Sequence, residues 1–144
     1  MKPEMSALAV THEVLARIAG GRYDVIVLNF ANMDMVGHTG VLPAAIGASE
    51  AVDGSVGQIV GAVGGAGGGV LLTDAHGNAE LMANADGSVH SAHTLNPVPF
   101  ILIDDRQRSA RLRPGCLADI APTLLSLLGI ERPPEMTGAL LLER

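Results

Sequence analysis

An aspartate and a histidine, Asp34 and His38, stand four residues apart in the segment NMDMVGHTG. At that spacing both side chains reach one point if the intervening chain turns like a helix. A carboxylate and an imidazole converging there suit Mn²⁺, Zn²⁺ or Fe²⁺. The same two residue types return as Asp74 and His76 in TDAHGN, and His90 and His93 follow in HSAHTLNPVPF. Taken singly, an Asp and a His in a polar loop also read as solvated turn residues. However, four of the five histidines fall beside expected strand ends, and only His12 lies on a helix, where it reads as a surface or packing residue. Two strand ends that each deliver Asp and His to one edge point to a metal site.

These side chains need elements to hold them. SALAVTHEVLARIA over 6–19 places Leu8, Val14, Leu15 and Ile18 on one helical stripe, with Ser6 as N-cap and Gly20-Gly21 as the stop. YDVIVLNF over 23–30 is a continuous apolar run, which predicts a strand covered on both faces of a mainly parallel sheet. A second helix is expected from Pro43 to about Val63, its apolar side carried by Ile46, Val52, Val56, Ile59 and Val63. Gly47, Gly54, Gly57 and Gly61 weaken it, each by up to ~1 kcal/mol relative to alanine. The glycine run at 64–69 ends that helix as a flexible turn; no Lys-Ser/Thr follows it, as a phosphate-cradling P-loop requires. Val70–Thr73 and Pro99–Ile103 read as further strands, and Leu117–Leu128 as a helix containing Pro122. Strands alternating with helices predict an α/β fold: a mainly parallel sheet flanked by helices, in one domain spanning 1–144. In such sheets, functional groups gather beyond the carboxyl ends of the strands.

Composition narrows the function classes. The net charge of −6 repels a phosphate-rich polymer, which argues against nucleic acid as a partner. No apolar run approaches the ~20 residues of a membrane span, and the opening residues lack a signal-peptide core, so a cytoplasmic protein is expected. Cys116 is the only cysteine, so no internal disulfide is possible, and it reads as a packed structural thiol. Arg106, Arg108, Arg111 and Arg113 read as a solvated charged loop rather than a phosphate clamp.

Together, NFANMDMVGHTG, TDAHGNAE, HSAHTLNPVPF and LADIAPTLLSLLGIERPPEMTG are similar, in order and spacing, to successive segments of the cofactor-independent (2,3-bisphosphoglycerate-independent) phosphoglycerate mutases. KPEMSA at the start resembles the stretch just upstream of them in that family. The resemblance implies a partial alkaline-phosphatase-like fold. It also implies interconversion of 3-phosphoglycerate and 2-phosphoglycerate in glycolysis, through a phosphoserine and two Mn²⁺ ions, with Mg²⁺ or Zn²⁺ as other candidates. By the same resemblance Asp34, His38 and His93 match the ligands of one ion and His76 a ligand of the other, whereas His90 matches a position that is not a ligand. The resemblance leaves the substrate-binding residues unassigned.

Two departures qualify that expectation. The family has Asp immediately before the histidine of the second site, whereas here Asp74 and Ala75 are exchanged. On extended backbone a shift of one residue sends a side chain to the opposite face. Asp74 therefore either points away from the second ion or reaches it through a small backbone slip. Further, Ser6, Ser49, Ser55, Ser88, Ser91, Ser109 and Ser126 match no nucleophile motif, so no catalytic residue is assigned. The family's serine and its inserted phosphate-shuttling domain have no counterpart in these residues. Three roles follow as expectations: a metal-binding portion inactive alone, a subunit completed by another chain, or a non-enzymatic remnant that self-associates.

Overall fold

The computed structural model describes residues 2–143. Its elements, in chain order, begin with helices α1 (Ala7–Ala19), α2 (Asn32–Gly37) and α3 (Leu42–Gly65). Strands β1 (Val70–Thr73), β2 (Phe100–Ile103) and β3 (Arg111–Leu112) follow, then α4 (Ile120–Leu127) and β4 (Leu142–Glu143). Two compact units form. One holds the chain up to Gly68 together with His76–Val98; the other holds Gly69–Ala75 and the chain from Pro99 onward.

The first unit is helical. α1 buries Ala7, Thr11 and Val14, one stripe at helical spacing, and the Thr11 hydroxyl donates to the Ala7 carbonyl at 2.7 Å. Leu8, expected on that stripe, is 61% exposed. α3 buries Ala45, Ala48 and Ser55. Ile46, expected on its apolar side, is exposed, while Val52, Val56, Ile59 and Val63 are half-buried. Small residues win the contact because helix axes approach most closely where side chains are short. Val36 of α2 packs on Ala45 and Ala48, with Met33, Ala44 and Met82 closing around them. Pro43 starts α3 at its first turn, where a missing N–H costs nothing. Gly67, at φ +74°, turns the chain out of the helix.

The parallel sheet expected from sequence does not form. β1 and β2 pair antiparallel, with Val70 opposite Ile103 and Thr73 opposite Phe100, and β3 pairs antiparallel with β4. Residues 23–30, expected as a doubly covered strand, belong to no strand, and Val25, Ile26 and Val27 are exposed, Val27 at 90%. An apolar run becomes a strand only where a neighbour completes its ladder. Among the described residues no strand pairs with this run.

The second unit is fastened by polar groups. Asp104 receives two side-chain bonds from Arg106, at 2.9 and 2.7 Å, and these hold its carboxyl below the usual range. Arg106 and Arg108 are exposed and paired with Asp104 and Asp105. Arg111 and Arg113 are exposed too, but the expected loop is not all loop: Arg106 lies in a short 3₁₀ turn and Arg111 begins β3. A short 3₁₀ turn, Leu117–Asp119, leads into α4, so Pro122 falls in the first turn of a shorter helix than expected. Asp119 accepts from the backbone N–H of Ala139 at 2.6 Å and of Cys116 at 2.8 Å, which together lower its pKa. Cys116 itself is exposed rather than packed, because it sits outside the turn that it begins. No helix is long and apolar enough to cross a membrane among the described residues.

Candidate metal centre

α2 follows directly on the apolar segment 23–30. Its first residue, Asn32, is 3% exposed and donates from Nδ2 to the Pro3 carbonyl at 2.8 Å, which pins the helix start. Asp34 lies in the first turn, where the helix dipole favours a carboxylate. His38 caps the helix, its backbone N–H donating to the Asp34 carbonyl at 3.2 Å. One helical turn therefore separates the two side chains, and His38 Nε2 stands 3.1 Å from Asp34 Oδ1. His93 arrives from a distant loop, with Nε2 3.1 Å from the same oxygen and 3.2 Å from His38 Nε2.

These three atoms make a nearly equilateral triangle. At metal–ligand distances of ~2.0–2.2 Å, donors at a right angle stand roughly 2.8–3.1 Å apart and donors at the tetrahedral angle roughly 3.3–3.6 Å apart. The observed edges fall across that span, so the residues fit one face of a divalent cation's coordination shell. Among the described residues, Asp34, His38 and His93 form a group able to hold such an ion. The carboxylate suits hard cations and the imidazoles suit Mn²⁺, Fe²⁺, Co²⁺ or Zn²⁺, so this donor set does not choose among them. The side chains are 31–48% exposed, which leaves the opposite face of the shell open to an incoming oxygen ligand.

The loop that carries His93 is stapled by Glu80. Its Oε2 accepts the Asn78 backbone N–H at 2.6 Å, and its Oε1 accepts the Thr94 hydroxyl and the Asn96 amide, the latter at 2.9 Å. The Thr94 N–H meets the Gly77 carbonyl at 2.8 Å, and a Cβ on Gly77 would collide with both Thr94 and Glu80. The Thr94 hydroxyl and then the Asn96 amide lower the Glu80 pKa from 4.5 to about 2. A depressed carboxylate contributes stability that is fully present above the unfolded value and lost as pH falls through the folded one. Stability should therefore decline between pH 4.5 and about 2. Glu80→Gln should be less stable at neutral pH and decline less steeply in that window, as thermal melts at stepped pH will read.

The other candidates take different positions. His76 stacks on His93, ring centroids 3.6 Å apart and planes 14° apart, and its buried Nδ1 has no hydrogen-bond partner. It is not one of the three grouped ligands. Asp74 is exposed and belongs to the second unit. His90 Nδ1 is 2.8 Å from Asn84 Oδ1 within its own loop, and His12 is exposed. Sequence reasoning passed over Asn78, which is 7% exposed and brings its amide to Asp34 and His38. A lone asparagine in a polar turn carries no spacing signal that could have singled it out.

Residues 1–132 match the Metalloenzyme superfamily. A 2,3-bisphosphoglycerate-independent phosphoglycerate mutase of Syntrophotalea carbinolica is 62% identical over 143 residues, which are 99% of this chain and 28% of the relative. The corresponding protein of Moorella thermoacetica is 58% identical over 137 residues, 95% of this chain and 26% of that one. Among solved structures, Leishmania mexicana phosphoglycerate mutase at low cobalt concentration superposes with a TM-score of 0.85 and 34% identity. It covers 99% of this chain with 29% of its own. The chain thus spans little more than a quarter of the length of these relatives.

Proposed function

Because this chain belongs to the metalloenzyme superfamily, we propose that it is the metal-binding portion of a 2,3-bisphosphoglycerate-independent phosphoglycerate mutase, acting in cytoplasmic glycolysis. Asp34, His38 and His93 hold one Mn²⁺ ion, and His76 serves a second, with Asp74 joining it only if the backbone slips by a residue. The carrying observation is the triangle of Asp34 Oδ1 and the two imidazole Nε2 atoms, with edges of 3.1, 3.1 and 3.2 Å. When bound, such ions neutralise charge on a transferring phosphoryl group and activate a serine oxygen. Asp34 supplies the negative charge that draws the cation, and the two histidines fix its direction. The family's nucleophilic serine and phosphate-shuttling domain have no counterpart among these residues, so these residues alone are expected not to interconvert phosphoglycerates.

Calorimetric titration with MnCl₂ tests this reading. One tightly held ion per chain, at Asp34, His38 and His93, is expected, with a second held only weakly because His76 has no partner ligand in place, and no mutase activity from the isolated chain. A folded protein that takes up no Mn²⁺ would refute it.

Exposure of Val25, Ile26 and Val27 favours a second reading, in which this chain works as one part of an assembly, with a complementing chain or a second copy. Light scattering after gel filtration tests the second copy: a monodisperse monomer at micromolar concentration removes self-association and leaves only a complementing chain.

A further inference from the structure

The geometry points to Asn78 as the residue that positions Asp34 for the metal ion, an assignment that rests on the Asp34–His38–His93 reading. Asn78 follows His76 and Gly77 and is 7% exposed. Its Nδ2 donates to Asp34 Oδ1 at 3.2 Å, the very oxygen that both histidines face. The same nitrogen lies 3.4 and 3.3 Å from the two ring nitrogens of His38. One carboxamide therefore touches two of the three candidate ligands while offering the ion no charge.

Its own placement is fixed from both ends. The Asn78 backbone N–H is held by Glu80 at 2.6 Å. The far side of the amide lies against Gly37, where a Cβ would come within 3.0 Å of Asn78 Cγ and collide with Oδ1. Gly37 lies within α2, on backbone that any residue adopts, so the glycine is required here by the amide rather than by its dihedral angles. The pair works as a wedge. Gly37 leaves room for the amide, and the amide donates to a carboxylate that is itself about one-third exposed and whose other contacts at that oxygen are the two imidazoles that would share the ion. Groups that hydrogen-bond to a metal ligand typically set affinity by ~10–100-fold.

The test is a Mn²⁺ titration of the full chain, following the free-ion electron paramagnetic resonance signal. Wild type, Asn78→Ala, Gly37→Ala and the double variant are compared, with apo melting temperatures measured in parallel. Asn78→Ala should weaken binding ~10–100-fold. Gly37→Ala should weaken it in the same direction, because its methyl group evicts the amide without touching a ligand atom. The double variant should bind no worse than Asn78→Ala alone, since the clash disappears with the amide; that non-additivity marks the two residues as one device. Should Asn78→Ala fail to fold, Gly37→Ala still reads the displacement. If wild type binds Mn²⁺ and both single variants bind it equally well, with only their melting temperatures lowered, Asn78 is merely structural and the inference is overturned. If wild type takes up no Mn²⁺, the metal reading falls first and this inference with it.

Discussion

Asp34→Ala should lower Mn²⁺ affinity by at least ~100-fold, beyond what loss of a supporting hydrogen bond does, while leaving the apo protein folded. Asp34 Oδ1 is the vertex at which His38, His93 and Asn78 all meet. It is also the only anionic donor of the three, and a hard cation such as Mn²⁺ depends on its oxygen ligand more than on imidazole. The side chain is 36% exposed, so removing it opens no cavity in the core formed by Val36, Ala45 and Ala48. The two effects separate in a thermal melt. An ion at 100 times its dissociation constant adds ~2.7 kcal/mol to the stability of the state that binds it. Wild type should therefore melt higher with Mn²⁺, and Asp34→Ala should melt at one temperature with or without it. Asp53→Ala on the exposed side of α3 serves as the charge control and should keep the metal response. A full metal response in Asp34→Ala would contradict the assignment of the triangle.

The largest effect on stability is expected at Gly138. A Cβ there would collide with the Ala118 carbonyl oxygen and approach its carbon to 2.6 Å and the Asp119 nitrogen to 3.1 Å. These are backbone atoms at the start of the turn before α4, so no side chain can swing aside to make room. The contact sits among bonds that dock the C-terminal segment. Asp119 accepts the Ala139 N–H, the wholly buried Thr123 hydroxyl accepts the Leu141 N–H at 3.0 Å, and the Arg113 N–H reaches the Leu141 carbonyl. Gly138→Ala must displace either strand of that arrangement, which costs ~1–3 kcal/mol or more. Gly61→Ala makes the opposite case. That glycine is exposed, in an ordinary helical backbone, and a Cβ added there would meet nothing within 4 Å beyond its own stretch of helix among the described residues. Its replacement should stabilise by ~0.5–1 kcal/mol. Denaturant melts of the two variants should therefore shift in opposite directions.

What could be read from the sequence was what local chemistry decides. Asp34 and His38 were legible as a pair because their spacing equals one helical turn, and α2 supplies that turn. The helix from Pro43 appeared within two residues of its observed ends, and Val70–Thr73 formed as expected, because caps, glycines and β-branched runs act over short range. Pairing was not legible. Nothing in the run from Tyr23 to Phe30 states whether a neighbour exists, and without one the strand, and the parallel sheet that depended on it, did not appear. The buried face of α3 was misjudged for a related reason. Periodicity marks large apolar residues, whereas the contact with its neighbours selected Ala45, Ala48 and Ser55. The convergence of His93 was not given by spacing within its own loop and came only from resemblance. Asn78 was invisible, since its role consists of partners 44 and 40 residues away.

All the fully buried residues of α3 lie between Ala45 and Ser55, and beyond them come Gly57, Gly61, Gly64 and Gly65. The distal half is therefore the part that opens most readily, since local unfolding follows the scarcity of buried groups. Amide deuteration should run fastest there and slowest near Ala48, which is the end that supports α2. Softness and the proposed metal centre are thus kept at opposite ends of one rod, so breathing at the glycine end need not disturb the Asp34–His38–His93 triangle.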